Sequence, residues 1–177
     1  MSNATVASAN LAGFITTLKP NQCIVFGSNP SGFHGAGLAG YAYTGKTGNQ
    51  YREGNLMLKA PNGTVGKWAV KGVGVGFQRG SEGMSYAIPT VARPGFAISQ
   101  ELFFKYLCDF AEYSKLNPDI EFLFTEIGKL RCEGGHSFLG VEKVKSFLRM
   151  LKFDGNVRFL GCYSEFNENK KKLIKVD

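Results

Sequence analysis

The chain is short of the residues that build metal centres and disulfide frameworks. Of its 177 residues only His34 and His136 are histidines, and four are cysteines, Cys23, Cys108, Cys132 and Cys162. The cysteines stand singly, with no C-x-x-C pair and no histidine at zinc-ligand spacing, so neither a disulfide scaffold nor a structural metal is expected. Reduced thiols in a cytoplasmic protein fit that pattern. Cys23, Cys108 and Cys162 lie in apolar surroundings and read as core residues, while Cys132, between Arg131 and Glu133, is the one thiol in a polar loop. Long hydrophobic runs are missing as well: nothing approaches the roughly 20 apolar residues of a membrane span. The opening "MSNATVASAN" lacks a charged segment followed by a long apolar one, so export is not expected either. Acidic residues are outnumbered, 14 against 21 basic, for a net charge of +7. That balance suits an anionic partner, but part of it sits in the tail "NKKKLIKVD", so charge alone leaves nucleic acid open without pointing to it.

What is present is enough apolar material for one domain: 44% hydrophobic residues, 13% aromatic. The expected core spans about residues 20–163, followed by a flexible basic tail at 164–177. A short helix is expected over residues 11–18, ended by Pro20, and then "CIVFG" reads as a buried strand. A glycine-rich loop follows, and then a helix through "LAGYAYTG". Further on, "LMLKA" and "KWAV" are strand candidates, "KGVGVGFQRGSEG" reads as a loop, and "SYAIPT" as a short strand. Ser99 is placed to cap a helix with Leu102, Phe103, Tyr106, Leu107 and Phe110 on one face. "IEFLFT" is the next buried strand, "EIGKLRCEGGHS" a polar loop, and a second helix turns Val141, Val144, Leu148 and Leu151 inward before a last strand "VRFLGC". Strands alternating with helices indicate an α/β sandwich, in which ligands bind at the carboxyl ends of the strands.

Two loops occupy that position. In "IVFGSNPSGFHGAGLAG" a side-chain amide at the strand end, Asn29, can meet a sugar hydroxyl, and the N–H groups of "HGAGL" opening a helix can meet a phosphate or ribose oxygen. The loop after "FLFT" offers glycine N–H groups with Lys129 and Arg131 for a pyrophosphate. A third segment, "GYAYTGKT", satisfies the phosphate-loop pattern, but it lacks the strand before it, the helix opening at Lys46 and a later strand ending in Asp. It reads instead as a helix C-terminus capped by Gly45.

"VFGSNPSGFHGAGLAGYA" resembles the signature of a divergent branch of macro domains, ADP-ribose-binding modules. "YAIPT", an amphipathic helix and "FLFTEIG" follow in the same order, so the likeness spans about residues 23–162. The resemblance implies a three-layer α/β/α sandwich with a mixed, mostly parallel sheet. It puts Asn29 on the distal ribose, Gly35, Ala36 and Gly37 along that ribose and its phosphate, and Gly128 with its neighbours around the diphosphate. The ligand-binding set then runs through Gly27, Ser28 and Leu38 in the first loop and Ile127, Lys129 and Arg131 in the second. Two features of the family have no counterpart. "FITTLKPNQ" lacks the acidic residue that meets adenine, and Leu38 and Ala39 stand where hydrolases often carry an acidic residue.

The expected partner is ADP-ribose or a related nucleotide, free or attached to a target, with no further cofactor. If the protein hydrolyses an ADP-ribosyl linkage or trims a ribose phosphate, His34 is the first candidate for proton transfer, with Glu126 and His136 next. The alternatives beside that chemistry are a histidine that only orders its loop, a capping carboxylate and a solvated loop residue. The competing class is a non-enzymatic reader or sequestering module.

Overall fold

The computed structural model describes residues 15–35, 37–46, 60–93, 96–129 and 139–167. Its centre is a five-stranded sheet in the order β2-β3-β1-β6-β7, formed by β1 (Gln22–Ser28), β2 (Gly76–Arg79), β3 (Met84–Pro89), β6 (Glu121–Phe124) and β7 (Val157–Phe159). The strands β3, β1, β6 and β7 run parallel, and β2 closes one edge antiparallel to β3. A small hairpin, β4 (Val91–Arg93) and β5 (Phe96–Ala97), follows β3. The helices are α1 (Gly37–Thr44), α2 (Gln100–Leu116) and α3 (Val141–Leu148). The chain is thus α/β with a mixed, mostly parallel sheet. Among the described residues no helix is long and apolar enough to cross a membrane.

Alternation along β1 splits the core in two. Cys23 and Val25 join Phe122, Phe124, Phe103, Leu107, Phe110, Val144 and Leu148 in one cluster, under α2 and α3. Ile24 and Phe26 face the other way, onto Ala39, Tyr41, Ala42 and Tyr43 of α1 and onto Trp68. A strand buried on both faces must be apolar throughout, which is why "CIVF" carries no polar residue. In α2, Ser99 caps the helix by accepting from the Leu102 N–H at 3.2 Å. The buried face of α2 is Phe103, Leu107, Phe110, Ala111 and Ser114; Leu102, expected on it, is exposed, and Tyr106 packs at the margin. Cys23 is fully buried, whereas Cys108 and Cys162 are half-buried.

Three expectations from the sequence change. Residues 15–18 are bend and coil, not helix, and the rest of that expected helix lies outside the described residues, as does most of "LMLKA". "KWAV" is not a strand. Its first three N–H groups go to the end of α1, with Lys67 donating to the Tyr43 carbonyl and Trp68 to the Ala42 carbonyl, both at 2.9 Å, and Ala69 to the Ala42 carbonyl at 3.2 Å. These bonds satisfy helix carbonyls that would otherwise lack partners. Finally, "KGVGVGFQRGSEG" holds a strand, β2, with Phe77 opposite Tyr86 and Gln78 opposite Ser85. Gly45 does cap α1, at φ +76° with its N–H on the Tyr41 carbonyl, and residues 40–44 are helical, so "GYAYTGKT" has no phosphate-loop geometry.

At the other edge of the sheet, the side chain of Asn167 lies against β7. Its Oδ1 accepts from the Phe159 N–H at 2.9 Å, and its Nδ2 donates to the Phe159 carbonyl at 2.7 Å. One amide thus takes the place of a neighbouring strand at that residue.

Candidate functional site

The carboxyl ends of β1, β3 and β6 meet at Gly27. A Cβ there would lie 3.0 Å from Ile127 Cγ2 and 3.2 Å from the Thr90 side chain, so glycine lets the three strand exits close together. Thr90 donates its N–H to the Ser28 carbonyl at 2.8 Å, and Thr125 donates its hydroxyl to the Val25 carbonyl at 2.6 Å.

The loop after β1 is closed on itself by Asn29, which is buried. Its Oδ1 accepts from the Phe33 N–H at 3.0 Å and the Ser31 hydroxyl at 2.7 Å, and its Nδ2 donates to the Phe33 carbonyl at 2.8 Å. This is an Asx arrangement, a side chain standing in for a backbone turn, and it leaves one amide N–H uncommitted. Below it lies the segment 70–76. Gly72 donates to the Gly32 carbonyl at 3.0 Å. A Cβ on Gly74 would come within 1.8 Å of the Asn29 carbonyl oxygen, and one on Gly32 within 2.3 Å of the Val73 nitrogen. Gly74 of "KGVGVG" and Gly32 thus let two backbones touch.

Gln78, a residue the sequence did not single out, fixes that segment. Its buried amide accepts from the Val70 N–H and donates to the Val73 carbonyl at 3.0 Å. Lys71, also buried, carries its ammonium 4.9 Å from the centre of the Phe33 ring. The only advance signal for either was a polar residue spaced among glycines.

His34 is fully buried, with Nε2 3.1 Å from the Val70 carbonyl. Its ring packs edge-on to Phe26 and tilted against Tyr43. Burial pushes its pKa down to about 4, against the opposing pull of the Val70 and Val73 backbone and with a smaller push from Lys71. At neutral pH the imidazole is uncharged.

The second loop is organised by Glu126, 7% exposed, whose Oε2 accepts from Lys129 Nζ at 3.1 Å and from the Cys162 N–H at 3.0 Å. Burial and the Glu126 charge push the Cys162 thiol up to about 12. Gly128, at φ +77°, passes close to Val144 of α3 and accepts from the Gly140 N–H at 3.0 Å. No family model, curated protein or solved structure matches the chain. The assignment of chemistry therefore rests on this geometry and on the motif.

Of the residues the sequence singled out, Gly27, Ser28, Asn29, Ile127, Gly128 and Lys129 gather at the ends of the adjacent strands β1 and β6. Gly37 opens α1 at φ +58°, and a Cβ there would point into open space. Gly35 is buried, and Leu38 packs half-buried against the second core cluster. His34 and Glu126 are not brought together: one is held among Phe26, Tyr43 and Val70, the other by Lys129 and Cys162. Ala36, Arg131, Cys132 and His136 lie outside the described residues. Among the described residues, no group of three or more His, Cys, Asp or Glu side chains is placed to hold a metal ion.

Proposed function

We propose that the chain binds ADP-ribose or a related nucleotide at the carboxyl ends of β1 and β6, acting as a macro domain-like module in a three-layer α/β/α sandwich. The observation that carries this reading is the state of the first loop. The Asn29 side chain ties Ser31 and Phe33 together and Gly72 holds Gly32, with one Asn29 N–H left over and open space beside Gly37 where α1 begins. A loop ordered in advance binds without the cost of ordering it, and a helix start favours an anion. The first motif adds its resemblance to the ribose- and phosphate-binding run of macro domains. Binding is better supported than turnover, because the imidazole of His34 is buried and Glu126 has one oxygen already doubly bonded. Hydrolysis, if it occurs, falls to the second oxygen of Glu126 as the base that orients water.

Calorimetry with ADP-ribose and AMP tests the reading. ADP-ribose is expected to bind, AMP more weakly, and Gly37→Val to remove binding while the circular dichroism spectrum is kept. No heat at millimolar ADP-ribose, or undiminished binding in Gly37→Val, would remove the ligand from this loop. Release of ADP-ribose from a modified protein or nucleic acid by the wild type, lost in Glu126→Gln, would make the module an enzyme.

A further inference from the structure

We propose that His34 is a positioning residue and not a proton carrier: as a neutral imidazole protonated on Nε2 it hangs the loop at 29–35 on the Val70 carbonyl, and acid releases that loop. The inference rests on the proposed function only for what the loop would hold, since the clamp exists without ligand.

The tautomer follows from the partner. A carbonyl can only accept, so Nε2 carries the proton, and in a neutral ring Nδ1 is then a bare lone pair. That atom is buried with no hydrogen-bond partner among the described residues. A second proton would create a buried cation that the Val70 and Val73 backbone offset only in part. The ring faces uncharged Phe26 from β1 and Tyr43 from α1, whose phenol burial pushes up and so keeps neutral. The charged group nearest in effect is Lys71, of the same sign. With no surface exposed, the ring has no route to hand a proton to a substrate while the loop stays closed.

The direction of the pH effect follows from linkage. Opening the loop returns His34 to its ordinary pKa of 6.5 from about 4. The open form therefore binds the extra proton in that window, and opening becomes easier as pH falls through it. Between pH 8 and pH 5 the opening constant should rise about 30-fold.

Amide hydrogen exchange of residues 31–35 in the ligand-free chain, corrected for the intrinsic pH dependence of exchange, measures this. The comparison is His34→Gln, whose side-chain nitrogen can reach the same carbonyl and does not titrate. The wild type should show the 30-fold rise and His34→Gln a flat profile. A long-range proton–nitrogen correlation spectrum of the wild type at pH 7 should show the proton on Nε2 alone. A ring protonated on Nδ1 or on both nitrogens at pH 7, a wild-type opening constant indifferent to acid, or the same rise in His34→Gln overturns the proposal. If His34→Gln does not fold, the two wild-type measurements decide the matter alone. Calorimetry on the wild type keeps the two ideas apart, since failure to bind ADP-ribose removes the nucleotide reading while the exchange profile stands.

Discussion

The loop after β1 is held largely by backbone against backbone, with Gly32 and Gly74 allowing the approach and Asn29 closing the turn, whereas the described start of the loop after β6 is tied by side chains as well. Glu126 joins Lys129 to the Cys162 N–H beyond β7, the Tyr163 hydroxyl donates to the Ile127 carbonyl, and the Gly140 N–H donates to the Gly128 carbonyl. The first arrangement joins close backbone approach to uncharged hydrogen bonds, and a single methyl group can break it. The second adds charge at a partly wet site, which solvent and salt dilute.

The strongest way to break the contrast is Gly74→Ala. Its φ is not in the left-handed region, so the effect comes from the 1.8 Å approach to the Asn29 carbonyl and not from strain at the residue itself. Urea unfolding should show a loss of about 3 kcal/mol or more, at the upper end of overpacking costs. A loss of a few tenths would mean that the two backbones are not packed as described. Asn29→Ala comes next. It removes two hydrogen bonds from the Phe33 backbone, and about 2 kcal/mol is expected from the same measurement, with ADP-ribose affinity falling as well. Equal affinity in wild type and variant would reduce Asn29 to a turn residue.

On the other side, Glu126→Gln should cost only about 1 kcal/mol, because an amide oxygen can still accept from Cys162. Its sharper readout is the thiol. Removing the negative charge that helps hold Cys162 up lowers its pKa, so alkylation at pH 8 should quicken relative to the wild type. Unchanged alkylation would show that burial alone controls the thiol. A stability effect of the same small size belongs to Gly37→Ala, where the added methyl meets nothing and only the left-handed backbone is strained, at about 1 kcal/mol. A loss as large as that of Gly74→Ala would erase the distinction between packed and open glycines.

The parts of this fold that could be read from sequence are those whose signal is local. β1, β3, β6 and β7, the Ser99 cap and the core positions of α2 and α3 follow from apolar period and a capping hydroxyl. β2 was hidden because its neighbouring glycines serve a contact with residues about forty positions earlier, and such a contact leaves only the marks of a loop. "KWAV" misled for a related reason: its apolar residues are buried, but its donors go to the end of α1. At the site, the loop glycines and Asn29 were legible, while the roles of Gln78 and Lys71 were not, since the turn that Gln78 holds and the Phe33 ring that Lys71 faces are set beside them only by folding. His34 drew attention as a rare histidine among glycines. What removes it from solvent, namely Phe26, Tyr43 and the Val70 carbonyl, comes from three separate stretches of chain.

The Asn167 amide on β7 bears on how copies of the folded molecule can join. Growth of a fibril through strand pairing needs two open edges per unit, one to accept a neighbour and one to offer the next. Here one edge is plugged at Phe159 by Asn167, and the Val157 N–H is taken by the Asp154 carbonyl. In polymer terms the β7 end of the five-stranded sheet is blocked. Growth strand by strand through that end stops there, so the side chain of one asparagine works as a chain terminator.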